Sequence, residues 1–141
     1  MNLIETKNDL FSVPQGYYLA HCISSDFSLG AGVAKKIDEI FNMREKLNKQ
    51  SHSFKGRVGI ALCIDNVFNL VIKKVKYDSA QYSDLEDAIY DMKYQMEEKY
   101  ITKLAIPHIG CGKEGFEWSI VRNILTDVFD DMNVEILVCS L

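Results

Sequence analysis

Proline is nearly absent, at two residues in 141, and no stretch is rich in Pro, Gly or Ser, which excludes a linker, a low-complexity tail and a collagen-like repeat. Long apolar runs are missing too. None approaches the roughly 18 consecutive residues that a membrane-spanning helix needs. The segment Met1 to Lys7 carries neither a basic leader nor a long apolar stretch, so neither membrane insertion nor secretion is expected. An excess of positive charge is also lacking: Lys and Arg number 16 against 20 Asp and Glu, for a net charge of -4. This disfavours a broad electrostatic grip on a nucleic-acid backbone, and any anionic ligand must be held locally. The four cysteines, Cys22, Cys63, Cys111 and Cys139, form no CxxC pair, and three of them lie in apolar stretches. That pattern fits reduced thiols in a cytoplasm-like compartment rather than a disulfide framework. His21 and Cys22 point to opposite faces of a strand with no further ligand cluster near them, so no metal site is expected.

What is present is ordinary for a folded α/β domain: 48% hydrophobic and 26% charged residues, enough for one domain over residues 1–141 with a core of its own. Apolar runs and helical patterns alternate along the chain, the signature of a layered α/β architecture. Tyr17 to Ile23 reads as a buried strand. A helix begins at Gly30-Ala31-Gly32, with Val33, Ala34, Ile37, Ile40 and Phe41 on its apolar face. A polar segment from Asn48 to Gly56 leads to strands at Val58 to Ile64 and Phe68 to Ile72, joined by a hairpin turn at Asp65-Asn66. Ser83-Asp84-Leu85-Glu86 matches a capping box, followed by a buried stripe of Leu85, Ile89, Met92 and Met96. Lys103 to Ile106 is a short strand ended by Pro107. A final helix of about fifteen residues presents Trp118, Val121, Ile124, Leu125 and Val128 to the core, and Val134 to Val138 is a last strand whose partners stay open.

Two segments share one design, a strand running into small residues and then a helix: Cys22 to Gly32, and Ile106 to Gly115. Such loops let a ligand approach the backbone and offer helix-start amides to an anion, or they serve only as turns. A dinucleotide GxGxxG is absent, because Val33, Ala34 and Lys35 follow Gly32, and a P-loop fails at Pro107 and Glu114. Lys73-Lys74 at a strand end reads either as an activated amine or as a solvated terminus. Glu114 and Glu117 read as an acid or base, or as charges that favour a helix dipole. Cys111, with His108 three residues before it, reads as a helix-start thiolate or as a loop filler. Tyr77 and Tyr82 could stack on a base or sugar, or anchor packing.

Taken in order, Ala20-His21-Cys22-Ile23-Ser24, Gly30-Ala31-Gly32-Val33-Ala34, Ile72-Lys73-Lys74 and Pro107-His108-Ile109-Gly110-Cys111-Gly112 with Trp118 strongly resemble the macrodomain family. Within it they resemble the lysine-dependent terminal ADP-ribose protein glycohydrolases, from Asn8-Asp9-Leu10-Phe11 to Leu141. The resemblance implies a three-layer α/β/α sandwich with a central mixed sheet and ADP-ribose held at the strand ends. It assigns Asp9 to the adenine amino group, with Leu10 in the same set and Leu141 beside the adenine. His21, Ile23 and Ser24 with Gly30, Ala31, Gly32 and Val33 would line one side of the ligand. Pro107, Ile109, Gly110, Cys111, Gly112 and Lys113 would line the other, with backbone amides on the diphosphate.

By the same resemblance Lys73 is the nucleophile, attacking the opened anomeric carbon of the distal ribose, and an acid on the second loop resolves the adduct. The family's usual acid is aspartate, whereas this chain has Glu114. An extra methylene can move the carboxylate by about an ångström, a misplacement able to cost on the order of a hundredfold in rate. The implied activity is removal of ADP-ribose from acidic protein side chains or from nucleobases of DNA, with deacylation of O-acyl-ADP-ribose as a companion. A non-catalytic ADP-ribose-binding module is the alternative. No cofactor, membrane or stable protein partner is implied, and a monomer is expected because no long exposed apolar helix face is left over. Lys73, Lys74, Lys76 and Lys113 are expected to line the cleft.

Overall fold

The computed structural model describes residues 1–141 and contains six strands and four helices. In chain order they are β1 (Asn2–Thr6), β2 (Tyr18–Ser24), α1 (Gly32–Phe41), α2 (Met43–Gln50), β3 (Ile60–Ile64), β4 (Val67–Lys73), α3 (Tyr82–Glu98), β5 (Lys103–Ile106), α4 (Trp118–Val128) and β6 (Glu135–Cys139). Short 3-10 turns occupy Leu10–Ser12 and His52–Phe54. The strands form one sheet in the order β1-β6-β5-β2-β4-β3. Every pairing is parallel except β3 with β4. That exception has a local cause. Asp65 and Asn66 take φ of 51° and 63°, a two-residue hairpin turn that folds β3 back on β4 and leaves β3 an antiparallel edge.

All seven residues of β4 are buried, as expected of a strand covered on both faces. On one face Leu85, Ile89, Met92 and Met96 of α3 and Val121, Leu125 and Val128 of α4 pack over Phe68, Leu70 and Ile72. On the other, Ile37 of α1 and Met43 and Leu47 of α2 pack over Leu19, Ile23, Val67 and Val71. The result is a three-layer α/β/α sandwich with a mixed sheet, as the resemblance implies.

Several local expectations are corrected. Strand β1 and helix α2 were not foreseen, since β1 is a half-exposed edge and α2 buries only Met43 and Leu47. On α1, Val33 and Ile40 are 37% and 51% exposed rather than buried, Val33 because it faces the cleft described below. Helix α4 has 11 residues rather than about fifteen. The capping box does not form: α3 starts at Tyr82 with Gln81 as N-cap and no side-chain cap, so Ser83 lies inside the first turn. The cause is tertiary, because the Tyr82 ring stacks on Phe116 and its hydroxyl accepts the Glu117 amide. The last strand, whose neighbours the sequence left open, lies between β1 and β5.

Candidate active site

Strands β2 and β5 are neighbours, yet the chain leaves β2 for α1 on one face and β5 for α4 on the other. Such a reversal opens a crevice at the carboxyl ends of the strands. Here it holds a cleft of about 980 Å³ lined by 23 residues, within the range of ligand pockets. His21, Ile23, Ser24, Gly30, Ala31, Gly32 and Val33 line it from the β2 side, and Pro107, Ile109, Gly110, Cys111, Gly112, Lys113 and Glu114 from the β5 side, with Lys73 at the end of β4.

On the β2 side, buried Phe27 and Leu29 take left-handed φ of 56° and 42°. Strain of this kind costs on the order of 1–3 kcal/mol per residue and persists only where the surroundings hold it. The bent loop delivers Ala31 as the N-cap of α1 without any side-chain cap, so the first-turn amides have no protein partner at that end. Free amides of this kind can bind an anion, and these stand at the cleft wall.

Lys73 is 7% exposed and its ammonium meets three acceptors: the Lys76 carbonyl at 2.9 Å and both Glu114 carboxylate oxygens at 2.8 Å. Two of its protons are hydrogen-bonded, to the Lys76 carbonyl and to Glu114 Oε1, and Glu114 Oε2 completes the ion pair. Glu114, with an 18% exposed side chain, reaches the lysine despite its extra methylene. Lys76 and Lys113 also line the cleft; Lys74 does not, being an exposed residue beyond the end of β4.

The β5 side is set by Gly110, whose φ is 72° and where a Cβ would fall 2.3 Å from the Phe116 ring, leaving room only for glycine. Phe116 in turn stacks on Tyr82 at 4.4 Å, so Tyr82 is a packing anchor and not a cleft residue. The Ile109 and Cys111 amides are bonded inside the loop to the Pro107 and His108 carbonyls, leaving those of Gly112 and Lys113 without a backbone partner. Cys111 is no helix-start thiolate. It precedes α4 by seven residues, its thiol donates to the Ile109 carbonyl at 3.4 Å, and burial pushes it above its ordinary range. His108 instead packs edge-on against Trp118, which is partly buried against the core as the sequence suggests and also lines the cleft and donates to Glu5. Glu117 is the N-cap residue of α4 and makes no side-chain cap. Tyr77 stands 84% exposed at the cleft mouth, under the Lys76 ammonium.

A second cavity of about 340 Å³ adjoins the first across Val33, Pro107 and His108, and brings together Asp9, Leu10 and Leu141. Asp9 caps the 3-10 turn with one oxygen, accepting the Phe11 amide at 3.0 Å, which leaves its other oxygen without a protein donor. His21 is 1% exposed and contacts the Asn69 side-chain oxygen through Nε2 at 2.6 Å, while Nδ1 has no protein partner. Burial lowers its pKa to about 4, only partly offset by Asn69, so the ring is neutral. Burial likewise pushes the Cys22 thiol to about 12, with the Glu114 charge adding to the shift. Asp26 and Ser28 were missed. Asp26 forms a short Asx turn onto the Ser28 amide, a signal readable in Ser25-Asp26-Phe27-Ser28, but its reach to Lys76 depends on the fold.

The fold and cleft together define a three-layer α/β protein with a ligand-sized crevice at a strand-order reversal. The chain belongs to the macrodomain family: the family model described as Macro domain matches residues 20–125. A bovine protein named ADP-ribose glycohydrolase OARD1 is 35% identical over 96% of this chain and 89% of its own length. Among solved structures, the macrodomain of Thermus aquaticus DarG superposes with a TM-score of 0.87 at 19% identity, covering 99% of this chain and 98% of that one. Thermosipho africanus DarTG, solved in complex with ADP-ribose, superposes at 0.83 and 17% identity, with 99% of this chain matched to 42% of that one.

Proposed function

We propose that this protein is an ADP-ribose glycohydrolase that releases ADP-ribose from a modified substrate through the Lys73 amine. The observation that carries the reading is the Lys73–Glu114 pair, a nucleophile and an acid in contact at 2.8 Å on the floor of a cleft. The name of the bovine relative supports the same activity. The contact also answers the departure at Glu114, because the longer side chain still reaches the lysine, and this favours turnover over mere binding.

In this reading the diphosphate lies between the amides at the start of α1 and those of Gly112 and Lys113. The adenine enters the second cavity beside Asp9. Lys73 gives one proton to Glu114, its lone pair forms a bond to the anomeric carbon of the distal ribose, and the bond from that carbon to the modified group breaks, the electron pair leaving with the group and the Glu114 proton passing to it, which returns Glu114 to a carboxylate. Glu114 then activates water for hydrolysis of the sugar adduct, regenerating the amine. A cytoplasmic monomer is the accompanying proposal for the protein's state.

The test compares wild type with Lys73→Ala for release of free ADP-ribose from a glutamate-modified protein, from ADP-ribosylated DNA and from O-acyl-ADP-ribose. Release should fall at least about a hundredfold in the variant, as expected when a covalent nucleophile is removed, while ADP-ribose affinity stays near wild type. Full activity in Lys73→Ala would refute the lysine mechanism, and tight binding without release from any substrate would make the protein a recognition module.

A further inference from the structure

We propose that Asp26 is a positioning residue for the Lys73 amine, acting through the backbone of Lys76. The inference rests on the lysine-dependent reading above, and nothing in the family resemblance assigns Asp26 a role. Its Oδ1 accepts the Ser24 hydroxyl at 2.6 Å and the Ser28 amide at 3.2 Å, while Oδ2 accepts the Lys76 amide at 3.4 Å. The Lys76 carbonyl then receives the Lys73 ammonium at 2.9 Å. One carboxylate thus ties the β2–α1 loop to the residue that holds the nucleophile.

The tie matters because of where Lys76 sits. Strand β4 ends at Lys73, and the Val75 carbonyl accepts the Asp78 amide at 3.0 Å, closing an exposed turn with Lys76 and Tyr77 at its centre. The Ser25 amide and hydroxyl anchor the chain at the Lys73 and Lys74 carbonyls, at 2.8 and 2.7 Å. Beyond Lys74 the bond to Asp26 continues that anchoring. Burial raises the Asp26 pKa, but the Ser24 hydroxyl, the Ser28 and Lys76 amides and the Ser28 hydroxyl outweigh it, and the carboxyl is held below its ordinary range. It is therefore an anion at neutral pH.

The consequence for chemistry follows from counting protons. When Lys73 passes one proton to Glu114, the amine keeps two, and the Lys76 carbonyl holds one of them. That bond fixes where the lone pair points. A carbonyl on an untethered turn would let the amine swing, and misplacement by about an ångström costs up to about a hundredfold in rate.

The test uses Asp26→Asn together with Lys76→Ala and Lys76→Pro. Lys76 is the second residue of its turn, where proline fits, so Lys76→Pro differs from Lys76→Ala chiefly by losing the amide that Asp26 accepts. Three quantities are measured: the single-turnover rate of the Lys73–sugar adduct, ADP-ribose affinity, and substrate-free labelling of Lys73 by an amine-reactive reagent, mapped by peptide mass. Adduct formation should slow about 10- to 100-fold in Asp26→Asn, and by a similar factor in Lys76→Pro relative to Lys76→Ala. Affinity should hold, and Lys73 labelling should quicken as the amine is released. Unchanged adduct formation and labelling would overturn the proposal, as would parallel losses of affinity and rate, which indicate a merely structural residue. If wild type forms no adduct, the hydrolase reading falls and the labelling comparison alone decides the positioning role. If Asp26→Asn does not fold, the two Lys76 variants decide it.

Discussion

Lys73 is nearly buried, and its charge is tolerated because the Glu114 carboxylate and the Lys76 carbonyl both accept hydrogen bonds from it. Removing one member of such a pair leaves an uncompensated buried charge, so loss of Glu114 should disturb the floor of the cleft more than loss of an exposed ion pair would. His21 is the opposite case, a buried ring kept neutral. Its pKa falls from 6.5 to about 4 on folding, so the unfolded chain binds the extra proton first as pH drops. The stabilisation is complete above about pH 6.5 and is lost as pH falls toward about 4, on the order of 3 kcal/mol in all. Denaturant unfolding of wild type and His21→Gln across that window should show a shallower pH slope in the variant. Equal slopes would contradict the account of His21.

Helix α1 has no side-chain cap, and in this account the uncapped amides are the ligand's anion site. Ala31 is extended, with φ of -150° and ψ of 157°, but Gly32 after it is left-handed at 58°, so Ala31→Asp sets a negative charge beside these amides without the geometry of an ordinary N-cap. The variant should bind ADP-ribose at least about tenfold more weakly by calorimetry, since its carboxylate opposes the diphosphate at the same amides. Unchanged affinity would place the diphosphate elsewhere. Elements with strong periodicity or a turn signal were legible in the sequence, such as the α3 stripe from Leu85 to Met96 and the hairpin at Asp65-Asn66. Those that failed lacked local signals. Strand β1 pairs only with β6, some 130 residues away, and the start of α3 is decided by Tyr82 stacking on a ring in the β5–α4 loop.

At the scale of the molecule, the cleft exists because β2 and β5 are adjacent while their following helices lie on opposite faces. Lys73 and Glu114 stand 41 residues apart in sequence and meet only through that topology. The family motifs named both residues, and no local pattern could have foretold the contact or the bond from Asp26 to Lys76. The net charge of -4 leaves an anionic ligand to local contacts, in this account the backbone amides at the start of α1 and those of Gly112 and Lys113. The central claim is that Lys73 becomes covalently joined to the substrate's ribose and that Glu114 resolves the adduct. The most direct measurement is the intact mass of wild type acid-quenched during turnover of an ADP-ribosylated substrate, with peptide mapping of the modified residue, beside Lys73→Ala and Glu114→Gln. The account predicts an adduct on Lys73 in wild type, absent from Lys73→Ala, and slower both to form and to clear in Glu114→Gln, since Glu114 serves both steps. Continued release of ADP-ribose with no adduct on any lysine, in Glu114→Gln and in wild type alike, would contradict it.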